Sequence, residues 1–426
     1  MNFGQTLVGD KMSTLSGVRM INKDTMDALR AEDADKWVNL GGGNPVVLPE
    51  VQDMWRRYTR ELLEAPDFGD VICRYGASQG YEPLVEAIVN LFNSRYGWGI
   101  TQRNVLVAPG SQALLFFALN SFGGRDAEGD IKQVILPMSP EYTGYGGTTI
   151  TEGVLKAYRP SLDILGPHRF KYRPDFERLK IDGATGAVLF SRPSNPTGNV
   201  LTDDETQKIV DLAAVYDVPV LIDSAYAVPF PNLVFTEMSP IFGENVIHLI
   251  SFSKAGLPGE RIGVAIGDES YLSVLEPFQA NANIHSSRYG QAIAAKAVES
   301  GELVRLSETV IRPHYERKLA LLEDAFAREL PEELPWYLHA GDGAMFAWLW
   351  LKDLPMSDVD LYERLKQDRV IVVPGSFFFP GLDEPWDHKQ QCIRISLTAS
   401  EEEIRRGVAT IARVVEQAYE HWEIRR

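Results

Sequence analysis

The chain has 426 residues, 45% of them hydrophobic and 24% charged, which is ordinary for a globular protein with a large buried core and room for two domains. Its 59 acidic residues outweigh 42 basic ones, for a formal net charge of −17, and no basic run stands out. Nucleic acid and anionic membranes are therefore excluded as principal partners, and an anionic substrate would need a local pocket built from individual arginines.

Residues 1–5 show no basic start and no continuous apolar stretch, so no secretory leader is expected. No segment approaches the ~18 uninterrupted apolar residues of a membrane-spanning helix. Cys73 and Cys392 lie far apart, which excludes a disulfide framework and suits a reducing cytoplasm. The seven histidines form no HExxH or other close pair, so no metal site is expected.

Along the chain, strands and helices alternate. Residues 105–107 read as a short strand running into Gly110, Ser111 and Gln112, followed by a helical apolar run over 113–119. A strand over 134–136 ends before Pro140, Glu141 and Tyr142, and one over 187–190 runs into the loop 192–198. Thr202 and Glu205 form a capping box for a helix reaching about Tyr216. The strand 218–222 ends at Asp223, and the strand 246–250 leads to Ser251, Ser253 and Lys254. From about residue 300 the texture changes to a long charged helix over 303–330, short strands over 345–350 and 370–373, and a terminal helix from about Glu401.

Apolar strands alternating with amphipathic helices predict an α/β fold with a largely parallel sheet covered on both faces. Ligands of such sheets sit outside the carboxyl ends of the strands. Asn195, Asp223 and Lys254 all fall just past predicted strand ends, so the topology would bring them together. The expected division is an N-terminal segment 1–50 packing on the small domain, a large domain over 51–300, and a smaller α+β domain over 301–426. Lys254 stands at a strand exit with two serines before it and Arg261 after it. Its amine can hold a carbonyl cofactor, while the hydroxyls and the guanidinium suit a phosphate.

These strings, in this order, resemble the fold-type I pyridoxal-phosphate enzymes and, within them, the aminotransferases. The matching residues are 40–45, Tyr75-Gly76, Gly110-Ser111-Gln112, Pro140-Glu141-Tyr142, Asn195-Pro196-Thr197-Gly198, Asp223-Ser224-Ala225-Tyr226, the Lys254 segment and Arg394. Residues 192–200, 305–311 and 378–383 resemble the valine–pyruvate group more narrowly. The resemblance implies the aspartate aminotransferase-like fold and pyridoxal 5'-phosphate bound covalently by Lys254. Asp223 would then keep the pyridine nitrogen protonated. Tyr226 and Asn195 would bond the phenolic oxygen, and Tyr142 would stack on the ring. Ser111 and Gln112, at a helix N-terminus, would hold the phosphate with Ser251, Ser253 and Arg261. Tyr75 would reach that phosphate from the neighbouring subunit of a homodimer. Arg394 would take the substrate's α-carboxylate, assisted by the main-chain N–H of Gly43 or a neighbour. Both cysteines read as small buried apolar groups.

The implied reaction is a ping-pong exchange of an amino group between an L-amino acid and a 2-oxo acid, of the valine or alanine with pyruvate type. A lyase, or an aminotransferase of a specialised pathway with a polar substrate, would use the same constellation. A regulatory aminotransferase-like domain would need a basic DNA-binding module, and the residues before Gly41 are not basic. Segment 281–291 departs from the valine–pyruvate pattern. Its Arg288 either faces a polar substrate side chain or forms an interfacial ion pair.

Overall fold

The computed structural model describes residues 6–13, 17–30 and 34–423; segment 1–5, considered above as a leader, lies outside the described residues. In chain order the first strands are β1 Val38–Asn39, β2 Val105–Ala108, β3 Gly124–Arg125, β4 Ile131–Leu136, β5 Leu155–Ala157, β6 Ser161–Gly166, β7 Arg169–Arg173 and β8 Thr185–Ser191. They are followed by β9 Val220–Asp223, β10 Val246–Ser251, β11 Gly263–Ile266, β12 Trp336–His339, β13 Phe346–Leu351, β14 Val370–Ile371, β15 Val373–Pro374 and β16 Cys392–Ser396.

The larger sheet has the order β2-β11-β10-β9-β8-β4-β3, with β5 also paired to β4. Strands β5, β4, β8, β9 and β10 are mutually parallel. They are rich in Val, Ile and Leu, and β9 and β10 are buried at every position, as parallel strands covered on both faces must be. Reversed β11 lies between β10 and β2, antiparallel to both; the expectation of a mostly parallel sheet holds apart from this strand and short β3. The helix Asp203–Ala214 begins with the expected capping box, Thr202 Oγ1 accepting from Glu205 N at 3.1 Å and Glu205 Oε2 from Thr202 N at 2.8 Å.

The second sheet has the order β15-β16-β13-β12-β7-β6. The hairpin β6–β7 comes from the middle of the chain yet extends the sheet of C-terminal strands through parallel pairing of β7 with β12. Segment 370–373, expected as one strand, is split between two pairings. β14 pairs with β1, joining the N-terminal segment to the C-terminal part, and β15 pairs with β16. The predicted helix over 303–330 contains a wider π turn at Ser307–Ile311. Pro313, which has no N–H to donate, stands at the start of the α-helix that follows. No helix among the described residues is long and apolar enough to cross a membrane.

What positions the site is register. Ser191 at the end of β8 lies opposite Asp223, and Asp223 lies opposite Leu249 of β10. The loops leaving β8, β9 and β10 therefore start side by side. The helix Ser111–Phe122 packs so closely beneath β8 that a Cβ on Gly186 would sit 1.9 Å from the Phe122 carbonyl oxygen. Gly186→Ala should therefore push helix and strand apart and cost about 1–3 kcal/mol. Urea unfolding of the variant should show a lowered midpoint, and an unchanged midpoint would contradict this packing.

Candidate active site

Asp223 ends β9 with its side chain buried. Its Oδ1 accepts from Ala225 N at 3.2 Å and its Oδ2 from the Tyr145 hydroxyl at 3.0 Å. No cation forms an ion pair with it among the described residues. Burial pushes its pKa up to about 6, against the Ala225 and Tyr145 hydrogen bonds and the charge of Lys254. Such a carboxylate lacks the positive partner that would make its burial favourable.

Lys254 lies in the short turn Ser253–Ala255 just past β10. Its Nζ donates to the Gly43 carbonyl at 2.6 Å and stands 5.8 Å from the centre of the Tyr226 ring. Desolvation, followed by the positive charges of Arg394 and Arg261, pulls its pKa down to about 8. A substantial neutral fraction is what a nucleophilic amine requires. Tyr226 is buried, and burial pushes its phenol pKa up against the opposing charge of Arg394.

Two arginines flank this lysine. Arg261 adopts a left-handed backbone (φ 53°), and its Nη1 donates to Ser253 Oγ at 3.2 Å. Its guanidinium lies over Gly110, where a Cβ would sit 2.5 Å from Nη2. Gly110 is the residue before the helix Ser111–Phe122, which has no side-chain cap. A cation above free N–H groups makes this corner suited to an anion with several oxygens. Arg394, on β16, is buried, with Nη1 donating to Asn195 Oδ1 at 3.0 Å and Nη2 to the Gly41 carbonyl at 2.8 Å. Its Nε has no partner. Its guanidinium carbon stands 4.1 Å and 5.0 Å from the ring centres of Phe346 and Phe378. Burial draws its pKa down to about 10. Neither arginine has a carboxylate partner among the described residues.

Gly43, Ser111, Gln112, Tyr142, Asn195, Asp223, Tyr226, Ser251, Ser253, Lys254, Arg261 and Arg394 all line one cavity of about 370 Å³. Tyr75 does not; it is 81% exposed, with an edge-on contact to His285. Gly43 meets Lys254 through its carbonyl oxygen. Tyr142 owes its position to Gly144, where a Cβ would lie 2.2 Å from the tyrosine ring. Arg288 lies outside the cavity lining and donates to the Asp70 and Arg74 carbonyls at 2.8 and 3.2 Å, over the ring of Tyr81. Cys392 is buried as expected, but Cys73 is exposed. It closes a six-residue helix whose one buried side chain is Val71. Sequence reasoning missed Tyr145, Ser191, Phe346 and Phe378. Tyr145 follows Tyr142 by three residues in a 3-10 turn, and that spacing is its one local signal.

The cavity thus offers an anion corner, a carboxylate lacking a cation, an amine that can be neutral, and a guanidinium lacking an anion. A sequence profile described as "Aminotransferase class I and II" matches residues 35–411. The chain is 38% identical to valine–pyruvate aminotransferase of Escherichia coli (strain K12) over 97% of its own length and 98% of the relative's. It resembles the crystal structure of valine–pyruvate aminotransferase from Salmonella typhimurium LT2 at 36% identity and a TM-score of 0.86, covering 95% of this chain and 99% of that one. The multiple substrate aminotransferase of Thermococcus profundus matches at 22% identity and a TM-score of 0.79, over 98% of each chain, a likeness of fold alone.

The raised pKa of Asp223 predicts a pH-dependent penalty in the unliganded protein. The folded chain holds this proton more tightly than the unfolded one, so stability falls as pH rises from about 4 to about 6. The stability of Asp223→Asn relative to the native protein should therefore grow by on the order of 2–3 kcal/mol between pH 4 and pH 7. Urea titrations of both proteins at the two pH values measure this, and a constant difference would refute the shift.

Proposed function

The chain belongs to the class I and II aminotransferases and is itself an aminotransferase; we propose that it binds pyridoxal phosphate in this cavity and exchanges an amino group between valine or alanine and pyruvate. One observation carries the reading: Asp223 without a cation and Arg394 without an anion both face the cavity that holds Lys254. A protonated ring nitrogen would complete the first, and a substrate carboxylate the second.

Ser111, Gln112, Ser251, Ser253 and Arg261 would hold the cofactor's phosphate, and Asp223 its ring nitrogen. Tyr226 and Asn195 would bond its phenolic oxygen, with Tyr142 against its face. When bound, the cofactor supplies an electron sink for the substrate's α-carbon. The residues do the rest. Lys254 Nζ would hold the cofactor's carbonyl carbon, and as a free amine it would take the substrate's α-proton and return it as general base and acid. Arg394 orients the substrate through its carboxylate, with Asn195 and the Gly41 carbonyl fixing the guanidinium. The two half-reactions run in opposite directions, amino acid to oxo acid and oxo acid to amino acid.

The rest of the lining supports a small apolar side chain. Among the described residues, no cation apart from Lys254, Arg261 and Arg394 lines the cavity and no acid apart from Asp223, and Leu115, Val373 and Phe378 are among the remaining residues. Exposed Tyr75 suits a homodimer in which each subunit completes its neighbour's phosphate site. The pairing of β1 with β14 supports an N-terminal segment that packs on a smaller C-terminal domain. Cytoplasmic residence, consistent with two unpaired cysteines, belongs to the same proposal.

A paired-substrate screen of the cofactor-loaded protein tests the reading, with valine, alanine, aromatic, acidic and basic donors against pyruvate and 2-oxoglutarate. Valine or alanine with pyruvate should turn over fastest, and preference for a charged donor would overturn the substrate assignment. Lys254→Ala should remain folded, with the native circular-dichroism spectrum, and show no steady-state transamination. Measurable turnover by that variant would overturn the mechanism.

A further inference from the structure

Glu141 is a fully buried carboxyl group to which the mechanism above gives no task. It forms no ion pair among the described residues. Its Oε1 accepts from Ser191 N at 3.0 Å, and its Oε2 contacts Ser191 Oγ at 2.5 Å and Tyr142 N at 3.3 Å. Its own main-chain N–H donates to the Phe378 carbonyl at 2.8 Å. Each contact leads into the site. Tyr142 lines the cavity. Ser191 lies opposite Asp223 in the sheet, and the next residue, Arg192, donates its N–H to the Asp223 carbonyl at 3.0 Å. Tyr145, three residues past Tyr142, donates its phenol proton to Asp223 Oδ2 at 3.0 Å. Phe378 stands beside Arg394.

We propose that Glu141 is a positioning residue: its carboxyl fixes Tyr142 and its own main chain to the Ser191 end of β8 beside Asp223, and so places the main-chain N–H that holds the Phe378 turn beside Arg394, keeping the cofactor and substrate-carboxylate subsites in one register. A carboxyl suits this junction because its two oxygens reach a main-chain N–H, a hydroxyl and a second N–H at once. Leaving an ionised carboxylate there would be costly. Burial pushes the group up to about 8, so at neutral pH it carries its proton and can donate as well as accept. The role therefore requires a neutral polar group of this shape rather than a negative charge.

The proposal rests on the pyridoxal phosphate reading, and the test separates the two. In Glu141→Ala holoenzyme, KM for the amino donor and the dissociation constant of pyridoxal phosphate, read from visible absorbance, should each rise at least tenfold. Glu141→Gln keeps an acceptor for the Ser191 N–H and a donor for its hydroxyl but turns its amide N–H toward the Tyr142 N–H, so its constants at pH 7 should fall between those of the native protein and those of Glu141→Ala. Should Glu141→Ala not fold, Ser191→Ala cuts the hydroxyl link from the other side and should raise both constants at least threefold. Native constants in Glu141→Ala, or in Ser191→Ala where that replaces it, would mean that Glu141 merely packs, and the proposal would fall. A Glu141→Gln variant as impaired as Glu141→Ala would show that a neutral polar group of this shape does not serve, which also overturns it. A native protein that takes up no pyridoxal phosphate would instead sink the underlying reading, and this proposal with it.

Discussion

Parallel hydrogen bonding between β8, β9 and β10 sets Ser191, Asp223 and Leu249 in one row across the sheet. The polar groups at the ends of the larger sheet's strands are placed relative to that row. Asp223 closes its own strand, Lys254 follows β10 after a short turn, and Asn195 follows β8. Because these strands are buried on both faces, a slip of register would drive polar strand ends into an apolar core. The core thus enforces the geometry of the site without contributing a catalytic atom.

The cavity reverses the electrostatics of the whole chain. A protein of net charge −17 gathers Lys254, Arg261 and Arg394 around one buried carboxylate, and among the described residues they have no ion-pair partners. Burial, followed by the charges of Arg394 and Arg261, lowers the pKa of Lys254, and burial alone raises that of Asp223. Both departures oppose stability in the unliganded protein, and both are relieved by ligands of the complementary charge. Strain tolerated at a site and offset by packing elsewhere is a common signature of function.

The arginine proposed to take the substrate carboxylate stands on the second sheet. β16 carries Arg394 between the rings of Phe346 and Phe378, and Asn195 reaches across from the larger sheet to hold it. Other cross-links join the same regions: Lys171 of β7 pairs with Asp342 at 2.6 Å and donates to the Val200 carbonyl, near the Asn195 loop. Glu141 adds the link to the Phe378 turn. These contacts bring a mid-chain loop and the C-terminal strands into one site.

Local chemistry wrote much of this into the sequence. Apolar runs ending in a polar residue marked β8, β9 and β10, and with them Asn195, Asp223 and Lys254; the Thr202 and Glu205 capping box is complete within four residues. Tertiary structure alone decided the rest. The hairpin β6–β7 joins β12 across more than 160 residues of chain, and β11 takes its reversed place because β10 and β2 flank it. Cys73 is exposed, Arg288 bonds carbonyls of the 70–74 segment, and Tyr145 meets Asp223. Each of these depends on which distant element packs alongside. A residue's type and spacing determine what it can bond, whereas its partner and its burial are set only when strands remote in sequence come into register.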